Sequence, residues 1–372
     1  MAGCGSSAPS GPVTLTVYVS LPLGGERAAD GLGAERGARL ALERAGGRVG
    51  DLRIRATYLD DTGGGPRWSQ AASGANARRA AQDSTAIGYV GDLDSGATRV
   101  SMPITNQAEI PQVSPGASAD DLAAEVPGEP DPSTYRPSGD RTFARVVPAD
   151  RVQAETAARL AVRLGADRGL AVSGGDPQGR ELARAFAAGV RREGLPARVV
   201  ASLRPAQRLP VSSIVGTPPS TTVFYAGATE GGLRWADLVA KGGVISTDAA
   251  MPFAGEVCRG FREPSAHYVT SPFIAPSRLG VGAAAFLAAY RRRWGPPPPA
   301  AAYGYEAMSV LLGAIRRAGA EGEDRGTVVD ELLATRVRQS TLGAFTIGPN
   351  GETSLRRVSV YRLHGCRPVL DD

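Results

Sequence analysis

Short apolar segments alternate with longer segments of mixed polarity along most of the chain. Residues 13–20 (VTLTVYVS) show the β-branched composition of a strand, and the longer segments carry small apolar residues at helical spacing. The predicted strands cover residues 13–20, 52–60, 87–90, 110–113, 143–147, 170–173, 197–203, 222–225 and 243–246. The predicted helices cover residues 33–45, 67–82, 97–108, 150–164, 179–193, 231–241, 281–293, 303–318 and 326–337. This alternation predicts parallel sheets with crossover helices.

Two similar α/β halves are expected, since 372 residues exceed the size of one ordinary domain. Between them, residues 120–140 are rich in Pro, Gly, Asp and Ser, which predicts a long surface loop. Near the C-terminus, 345–347 and 355–363 flank a Gly-Pro-Asn-Gly turn, so we expect a β-hairpin there. The predicted fold class is α/β with two doubly wound parallel-sheet lobes.

The stretch 87–118 is predicted to contain a strand, a turn, a helix that includes Pro103, a second strand and a second turn. Both turns are expected at the carboxyl ends of parallel strands, where such sheets bind ligands. Ser95 is expected to cap the helix at its N-terminus, where backbone N–H groups favour an anion. Ser118 and the carbonyls around Gly116 would supply acceptors nearby. Donors on one side and acceptors on the other suit a zwitterion.

Composition and charge argue against several other function classes. The net charge of +5 is spread along helix faces, and the run 291–293 (RRR) is most simply a solvated helix end, so no nucleic-acid partner is expected. No run of about 18 apolar residues is present, so we expect no membrane span. His267 and His364 lie in no metal motif, and the Gly-rich segment 174–179 lacks the pattern of a phosphate-binding loop. We therefore predict no metal, no cofactor and no enzymatic reaction.

The cysteines bear on localisation. Residues 2–12, which contain Cys4, resemble the end of a bacterial lipoprotein signal followed by a flexible tether, although an apolar signal core is missing. Lipidation of Cys4 is the favoured interpretation, and an ordinary disordered N-terminus is the alternative. Cys258 and Cys366 are compatible with a disulfide in an oxidising compartment and equally with two free thiols.

An ordered set of motifs resembles the branched-chain amino-acid binding proteins of ABC importers, which have the type I periplasmic-binding-protein fold. The motifs are 21–25 (LPLGG), 37–41 (GARLA), 60–62 (DDT), 94–98 (DSGAT), 110–118 (IPQVSPGAS), 143–150 (FARVVPAD), 303–307 (YGYEA) and 343–345 (GAF). The resemblance implies two lobes that close on a ligand about a hinge, with chain crossings near 142–147, 271–275 and 340–345. Lobe one would then comprise 13–141 and 276–339, lobe two 142–275 and 340–372, and residues 1–12 the tether.

The same resemblance implies roles for individual residues. Ser95 and Gly96 would hold a ligand α-carboxylate. The α-ammonium would be held by the loop Gly116, Ala117, Ser118 and by Asp248 from lobe two. Where the family usually places aromatic rings around the ligand, this sequence has Asp30, Gln178 and Ala228-Thr229. These residues predict a wider, more polar pocket, for an amino acid, amide, peptide or aromatic acid, although a solvated loop position is the favoured interpretation of Asp30 and Gln178.

Three function hypotheses follow. The first is a monomeric, lipid-anchored solute-binding protein on the extracellular face of the cytoplasmic membrane, which delivers a small amino-acid-like ligand to an ABC permease. The second is a ligand-sensing module of a signalling system with the same fold. The third, an enzyme of unknown reaction, has the least support from the residues.

Overall fold

Strands and helices alternate along the residues that the computed structural model describes, which are 13–128, 130–200, 220–227, 243–251, 267–365 and 367–371. The strands are β1 (Thr14–Leu21), β2 (Arg48–Val49), β3 (Leu52–Asp60), β4 (Ala86–Gly91), β5 (Gln112–Ser114), β6 (Phe143–Arg145), β7 (Arg168–Ser173), β8 (Ala197–Val200), β9 (Thr221–Ala226), β10 (Gly243–Thr247), β11 (His267–Ser271), β12 (Arg336–Val337), β13 (Phe345–Thr346), β14 (Ser359–His364) and β15 (Arg367–Leu370). The α-helices are α1 (Ala28–Arg44), α2 (Gln70–Gln82), α3 (Ser95–Gln107), α4 (Asp150–Arg163), α5 (Pro177–Arg192), α6 (Ala284–Trp294), α7 (Ala300–Ala318) and α8 (Arg325–Leu333).

The chain divides into two units, each with its own main sheet. Unit 1 contains the chain up to Ala117, Pro132–Val146 and Leu279–Ser354, and unit 2 contains Ser118–Asp131, Val147–Arg278 and the chain from Leu355 onward. The chain therefore changes unit three times after residue 140, near 146, 278 and 354, and the segment 118–131 is grouped with unit 2. The sequence analysis placed the last crossing earlier, near 340–345, and assigned 118–131 to lobe one.

Unit 1 contains a six-stranded sheet in the order β2-β3-β1-β4-β5-β6. Strands β3, β1, β4, β5 and β6 are parallel, and only the short β2 is antiparallel to its neighbour. Residues from Leu15 to Leu21 of β1 are all buried, as expected for a central strand covered on both faces. The carboxyl ends of β1, β3, β4 and β5 thus lie along one edge, where the turns predicted to bind the ligand begin.

Two glycines allow α1 and α7 of unit 1 to pack with their backbones in contact. A Cβ atom on Gly37 would lie 2.0 Å from the carbonyl oxygen of Ala301, and one on Gly304 would lie 2.1 Å from the carbonyl oxygen of Ala34. Neither carbonyl can move without disturbing its helix. The close approach of the two helices therefore requires glycine at both positions.

Unit 2 contains a seven-stranded sheet in the order β15-β14-β11-β10-β9-β7-β8. Strands β8, β7, β9, β10 and β11 are parallel, β14 is antiparallel to β11, and β15 is antiparallel to β14. Helices α4 and α5 cover it through an apolar core in which the rings of Phe186 and Phe224 stack with their centroids 4.5 Å apart. This core fixes where the N-terminal turns of α4 and α5 lie.

Four local predictions were wrong. The helix predicted over 33–45 begins five residues earlier, at Ala28. The helix predicted over 326–337 ends at Leu333, and residues 336–337 form β12, which pairs with β13. Residues 359–364 do not return along 345–347 but form β14, which pairs with β11 in unit 2. The segment 120–140 was predicted to lie on the surface, yet Asp120, Asp121 and Leu122 are buried.

Candidate functional site

Ser95 is the first residue of α3, immediately after the turn that follows β4. The predicted capping role was wrong by one residue, because Asp94 occupies the N-cap position and its side chain makes no capping hydrogen bond. The carbonyl of Asp94 instead accepts the N–H of Thr98 at 3.0 Å. The prediction that Ser95 and Gly96 lie at a helix N-terminus is confirmed, and the first N–H groups of α3 have no partner within the helix.

Ser114 joins the Ser95 turn to the turn that follows β5. Its hydroxyl donates to the carbonyl oxygen of Asp92 at 2.7 Å and accepts the N–H groups of Gly116 and Ala117 at 3.1 and 2.8 Å. A Cβ atom on Gly116 would lie 2.5 Å from the carbonyl oxygen of Leu93, so glycine is needed for this close contact. The structure therefore brings the predicted residues Ser95, Gly96, Gly116 and Ala117 into two adjoining turns of unit 1.

Asp30 belongs to a small network of charged side chains in unit 1. The guanidinium of Arg27 lies 3.1 Å from the carboxylate of Asp30 and 2.9 Å from that of Asp94, directly before Ser95. Asp30 therefore has a cationic partner within the protein. That partner, Arg27, lies close to the start of α3, and the sequence analysis did not consider it.

Two buried carboxyl groups, those of Asp61 and Asp92, directly follow β3 and β4. Asp61 is fully buried, and burial together with the charges of Asp92, Asp94 and Asp60 raises its pKa to about 9. Burial also raises the pKa of Asp92 to about 7, although it accepts hydrogen bonds from Ser101 and from the Tyr89 hydroxyl. Asp61 therefore carries a proton at neutral pH, which reduces the negative charge next to the N-terminus of α3.

An aromatic ring contacts the Ser95 turn from a position that the sequence analysis did not consider. A Cβ atom on Gly96 would lie 2.2 Å from a benzo-ring carbon of Trp68, so the ring packs directly on the Gly96 backbone. Trp68 is half-buried and precedes α2. Unit 1 thus has an aromatic ring beside Ser95, although Asp30 occupies a position where the resemblance would place an aromatic residue.

In unit 2, Ser118 is held by the first turns of two helices. Its carbonyl oxygen accepts the N–H of Asp150, the first residue of α4, at 2.8 Å. Its hydroxyl accepts a hydrogen bond of 3.2 Å from the side-chain amide of Gln178 in the first turn of α5, whose N-cap is Asp176. The structure therefore brings two predicted site residues, Ser118 and Gln178, into direct contact.

Asp248 follows β10 in a short 3-10 turn and is partly exposed. Its carboxylate accepts a hydrogen bond of 3.2 Å from the side-chain amide of Gln153, which also donates to the carbonyl oxygen of Thr270 at 2.8 Å. Because Gln153 and Asp150 both belong to the first turn of α4, that turn is linked to Asp248 and to Ser118 alike. Gln153 was not predicted, although its place three residues after the start of a predicted helix was visible.

The remaining predicted site residues lie outside the described residues: Cys4, Thr229, Cys258 and Cys366. Within the described ranges, no group of three or more His, Cys, Asp or Glu side chains is arranged to hold a metal ion. No helix in the same part of the chain is both long and apolar enough to cross a membrane.

Each unit offers groups of a different kind. Unit 1 presents the N-terminus of α3, which suits an anion, and unit 2 presents the Ser118 hydroxyl and the Asp248 carboxylate, which suit a cation. A family model described as periplasmic binding protein matches residues 14–365. The chain belongs to the periplasmic binding protein family. No curated protein matches its sequence.

Solved structures of periplasmic binding proteins share this fold over nearly the whole chain. A leucine binding protein, LivK, from Thermotoga maritima is 22% identical with a TM-score of 0.76, and 96% of this chain and 98% of that chain are covered. The branched-chain amino acid binding protein LivJ from Streptococcus pneumoniae, in complex with isoleucine, is 18% identical with a TM-score of 0.72, covering 96% and 100%. A solute binding protein from R. palustris, in complex with benzoate, is 16% identical with a TM-score of 0.71, covering 96% and 95%.

These comparisons confirm two predictions. The resemblance to branched-chain amino-acid binding proteins with the type I fold is borne out by the family match and by the solved structures. The α/β fold class with two parallel-sheet lobes is confirmed by the two sheets and by the same structures. As a periplasmic binding protein, the chain belongs to a family whose members bind solutes.

Proposed function

We propose that this periplasmic binding protein captures a small amino-acid-like zwitterion and delivers it to the permease of an ABC importer. The observation that carries the proposal is the chemical difference between the units. Unit 1 has the N-terminus of α3, and unit 2 has Ser118 and Asp248 as acceptors. A carboxylate prefers several N–H and O–H donors, and an ammonium prefers acceptors that include a charge.

In this proposal the ligand lies between the two units, which close on it about the three chain crossings, and it leaves chemically unchanged. Ser95 and Gly96 bind its carboxylate, and Gly116, Ala117, Ser118 and Asp248 bind its ammonium group. The structural relatives include a leucine binding protein and complexes with isoleucine and with benzoate, which supports a ligand of this size. The Asp30–Arg27 pair and the Trp68 ring on Gly96 would influence which ligand side chains are preferred.

The proposed location is the extracellular face of the cytoplasmic membrane, with Cys4 lipidated and the protein monomeric. Fractionation of cells that express the wild type or Cys4→Ala tests this part. The wild type should sediment with membranes and the variant should not. Equal distribution of the two proteins would remove the lipid anchor from the proposal without affecting the ligand site.

A thermal-shift screen tests the ligand class. The panel comprises L-leucine, L-isoleucine, L-valine, L-glutamate, L-arginine, leucinamide, benzoate and a dipeptide. A ligand present at about 100 times its dissociation constant stabilises the folded protein by about 2.7 kcal/mol, which raises the melting temperature by several degrees. Mass spectrometry of the ligand after prolonged incubation should recover it intact. Steady conversion to a product would contradict the proposal and favour an enzyme.

A further inference from the structure

Glu181 is a buried acid of unit 2 to which neither the family resemblance nor the proposed function assigns a role. It is 4% exposed and lies in α5, three residues after Gln178. Its Oε1 accepts the backbone N–H of Asp120 at 3.0 Å, while Gln178 donates to the hydroxyl of Ser118 at 3.2 Å. Residues three apart lie on one face of a helix. One face of α5 therefore holds the segment Ser118–Asp120 at two points.

Helix α4 holds the same segment from other atoms. The N–H of Asp150 donates to the carbonyl oxygen of Ser118 at 2.8 Å, and the N–H of Arg151 donates to the carboxylate of Asp120 at 2.9 Å. The Arg151 guanidinium also pairs with that carboxylate. Glu181 supplies the hydrogen bond to the backbone N–H of Asp120, two residues after Ser118.

Burial and the neighbouring charges together determine the protonation state of Glu181. The groups that face it are the carboxyls of Asp150, Asp120 and Asp121, and the Arg151 guanidinium pairs with Asp120. Burial, followed by these neighbouring acids, raises the pKa of Glu181 to about 9. At neutral pH the side chain is therefore a neutral acid whose carbonyl oxygen accepts the Asp120 N–H. Loss of its proton would place a negative charge next to three neighbouring carboxyl groups.

We propose that Glu181 is a positioning residue of the unit 2 site: it fixes the Ser118–Asp120 segment from α5 and so keeps the Ser118 hydroxyl in place for the ligand. The assignment of Ser118 to the ligand rests on the proposed function, whereas the fixing of the segment does not. The neutral amide of Glu181→Gln retains an acceptor of the same shape. Glu181→Leu has a similar volume and no acceptor.

The first measurement is amide hydrogen exchange of Asp120 at pH 7. Exchange should be about tenfold faster in Glu181→Leu, as expected from the loss of one hydrogen bond, and should change less than about threefold in Glu181→Gln. The control is Glu193→Gln, an exposed glutamate next to the last residue of α5, which should match the wild type. Unchanged Asp120 exchange in Glu181→Leu would overturn the proposal.

The second measurement is the urea midpoint between pH 6 and 9.5. Because the pKa of Glu181 is raised in the folded state, its neutral form favours folding. This contribution to stability is complete below the pKa that glutamate has in the unfolded chain, and it is lost as the pH rises towards about 9. The wild type should therefore lose stability relative to Glu181→Gln over this range, whereas Glu193→Gln should follow the wild type. Parallel profiles for wild type and Glu181→Gln would overturn the proposal even if Glu181→Leu fails to fold.

The third measurement links the segment to the ligand. With L-leucine as the probe at pH 7, the dissociation constant of Glu181→Leu should rise about tenfold and that of Glu181→Gln should stay within about twofold of the wild type. If the wild type does not bind L-leucine, that result counts against the proposed function. The exchange and midpoint measurements still decide the role of Glu181.

Discussion

Replacing Arg145 tests how unit 1 holds the turn at Ala117. The side chain of Arg145 is fully buried, and its Nη2 atom lies 2.5 Å from the carboxylate of Glu352, which is 10% exposed. Its Nη1 atom donates to the carbonyl oxygen of Ala117 at 3.1 Å, and its backbone N–H donates to the carbonyl oxygen of Gly351 at 3.0 Å. One side chain thus connects β6, the Gly116–Ala117 turn and the segment after β13.

The expected cost of Arg145→Met is large because the methionine fills the space but removes the charge. Removing one partner of a buried ion pair costs about 3–5 kcal/mol, since the other charge loses its compensation. The lost hydrogen bond to Ala117 adds about 1 kcal/mol, and the packing of the methionine offsets part of the total. We therefore expect destabilisation by about 4 kcal/mol.

Urea unfolding followed by circular dichroism measures this cost. With a slope of about 2 kcal/mol per molar urea, the midpoint should fall by about 2 M. The matched control is Arg67→Met, which removes an arginine 2.8 Å from Glu26 with exposed fractions of 50% and 36%. That variant should lose less than about 1 kcal/mol. Equal midpoints for the two variants would refute the reasoning, and Arg145→Met with Glu352→Gln should be less destabilised than the sum of the single changes.

Two further changes test the packing and the pH dependence of the fold. Gly37→Ala should destabilise unit 1 by about 3 kcal/mol in thermal unfolding, because its Cβ would lie 2.0 Å from the carbonyl oxygen of Ala301. The control is Gly313→Ala in α7, whose Cβ would meet only the end of a flexible arginine side chain. This variant should be about 0.5 kcal/mol more stable than the wild type. Burial lowers the pKa of His267 to about 3 in the folded protein, so the neutral imidazole favours folding. This contribution to stability is complete above the pKa of histidine in the unfolded chain, about 6.5, and is lost as the pH falls below that value. His267→Gln, which retains a polar group near Ser246, should therefore lose less stability than the wild type between pH 7 and 4, and identical acid profiles would contradict the buried neutral histidine.

Much of the fold was predictable because the strands of a parallel sheet are continuous apolar runs. Strand β3 was predicted at its observed bounds, and β1 and β10 were predicted within one residue at each end. The errors near the C-terminus have a different origin. The turn at Gly351 exists, with φ at 82°, and Ile347 pairs with Thr353 in a single bridge. The strand that follows, β14, nevertheless pairs with β11 in unit 2. The local turn sequence does not indicate this long-range pairing.

The candidate site was predictable where it depends on the order of motifs and not where it depends on tertiary contacts. The places of Ser95 and Ser118 followed from the position of each turn after a strand. The contacts of Gln153 and Glu181 depend on how α4 and α5 pack on unit 2, and local periodicity does not reveal this packing. The Asp30–Arg27 pair was missed because the helix was predicted to begin at residue 33, whereas α1 begins at Ala28.

The central claim is that the protein binds a zwitterion through a site for each charge. The most direct test is isothermal titration calorimetry at pH 7 with the tightest-binding amino acid of the panel, its amide and its des-amino acid, on the wild type, Ser95→Ala and Asp248→Ala. Each lost ligand charge should weaken binding by at least about tenfold, as expected for charge-assisted hydrogen bonds. Asp248→Ala should weaken binding of the amino acid more than binding of its des-amino acid. Ser95→Ala should weaken binding of the amino acid more than binding of its amide. Binding of the des-amino acid as tightly as the amino acid, or full affinity in both variants, would contradict the claim.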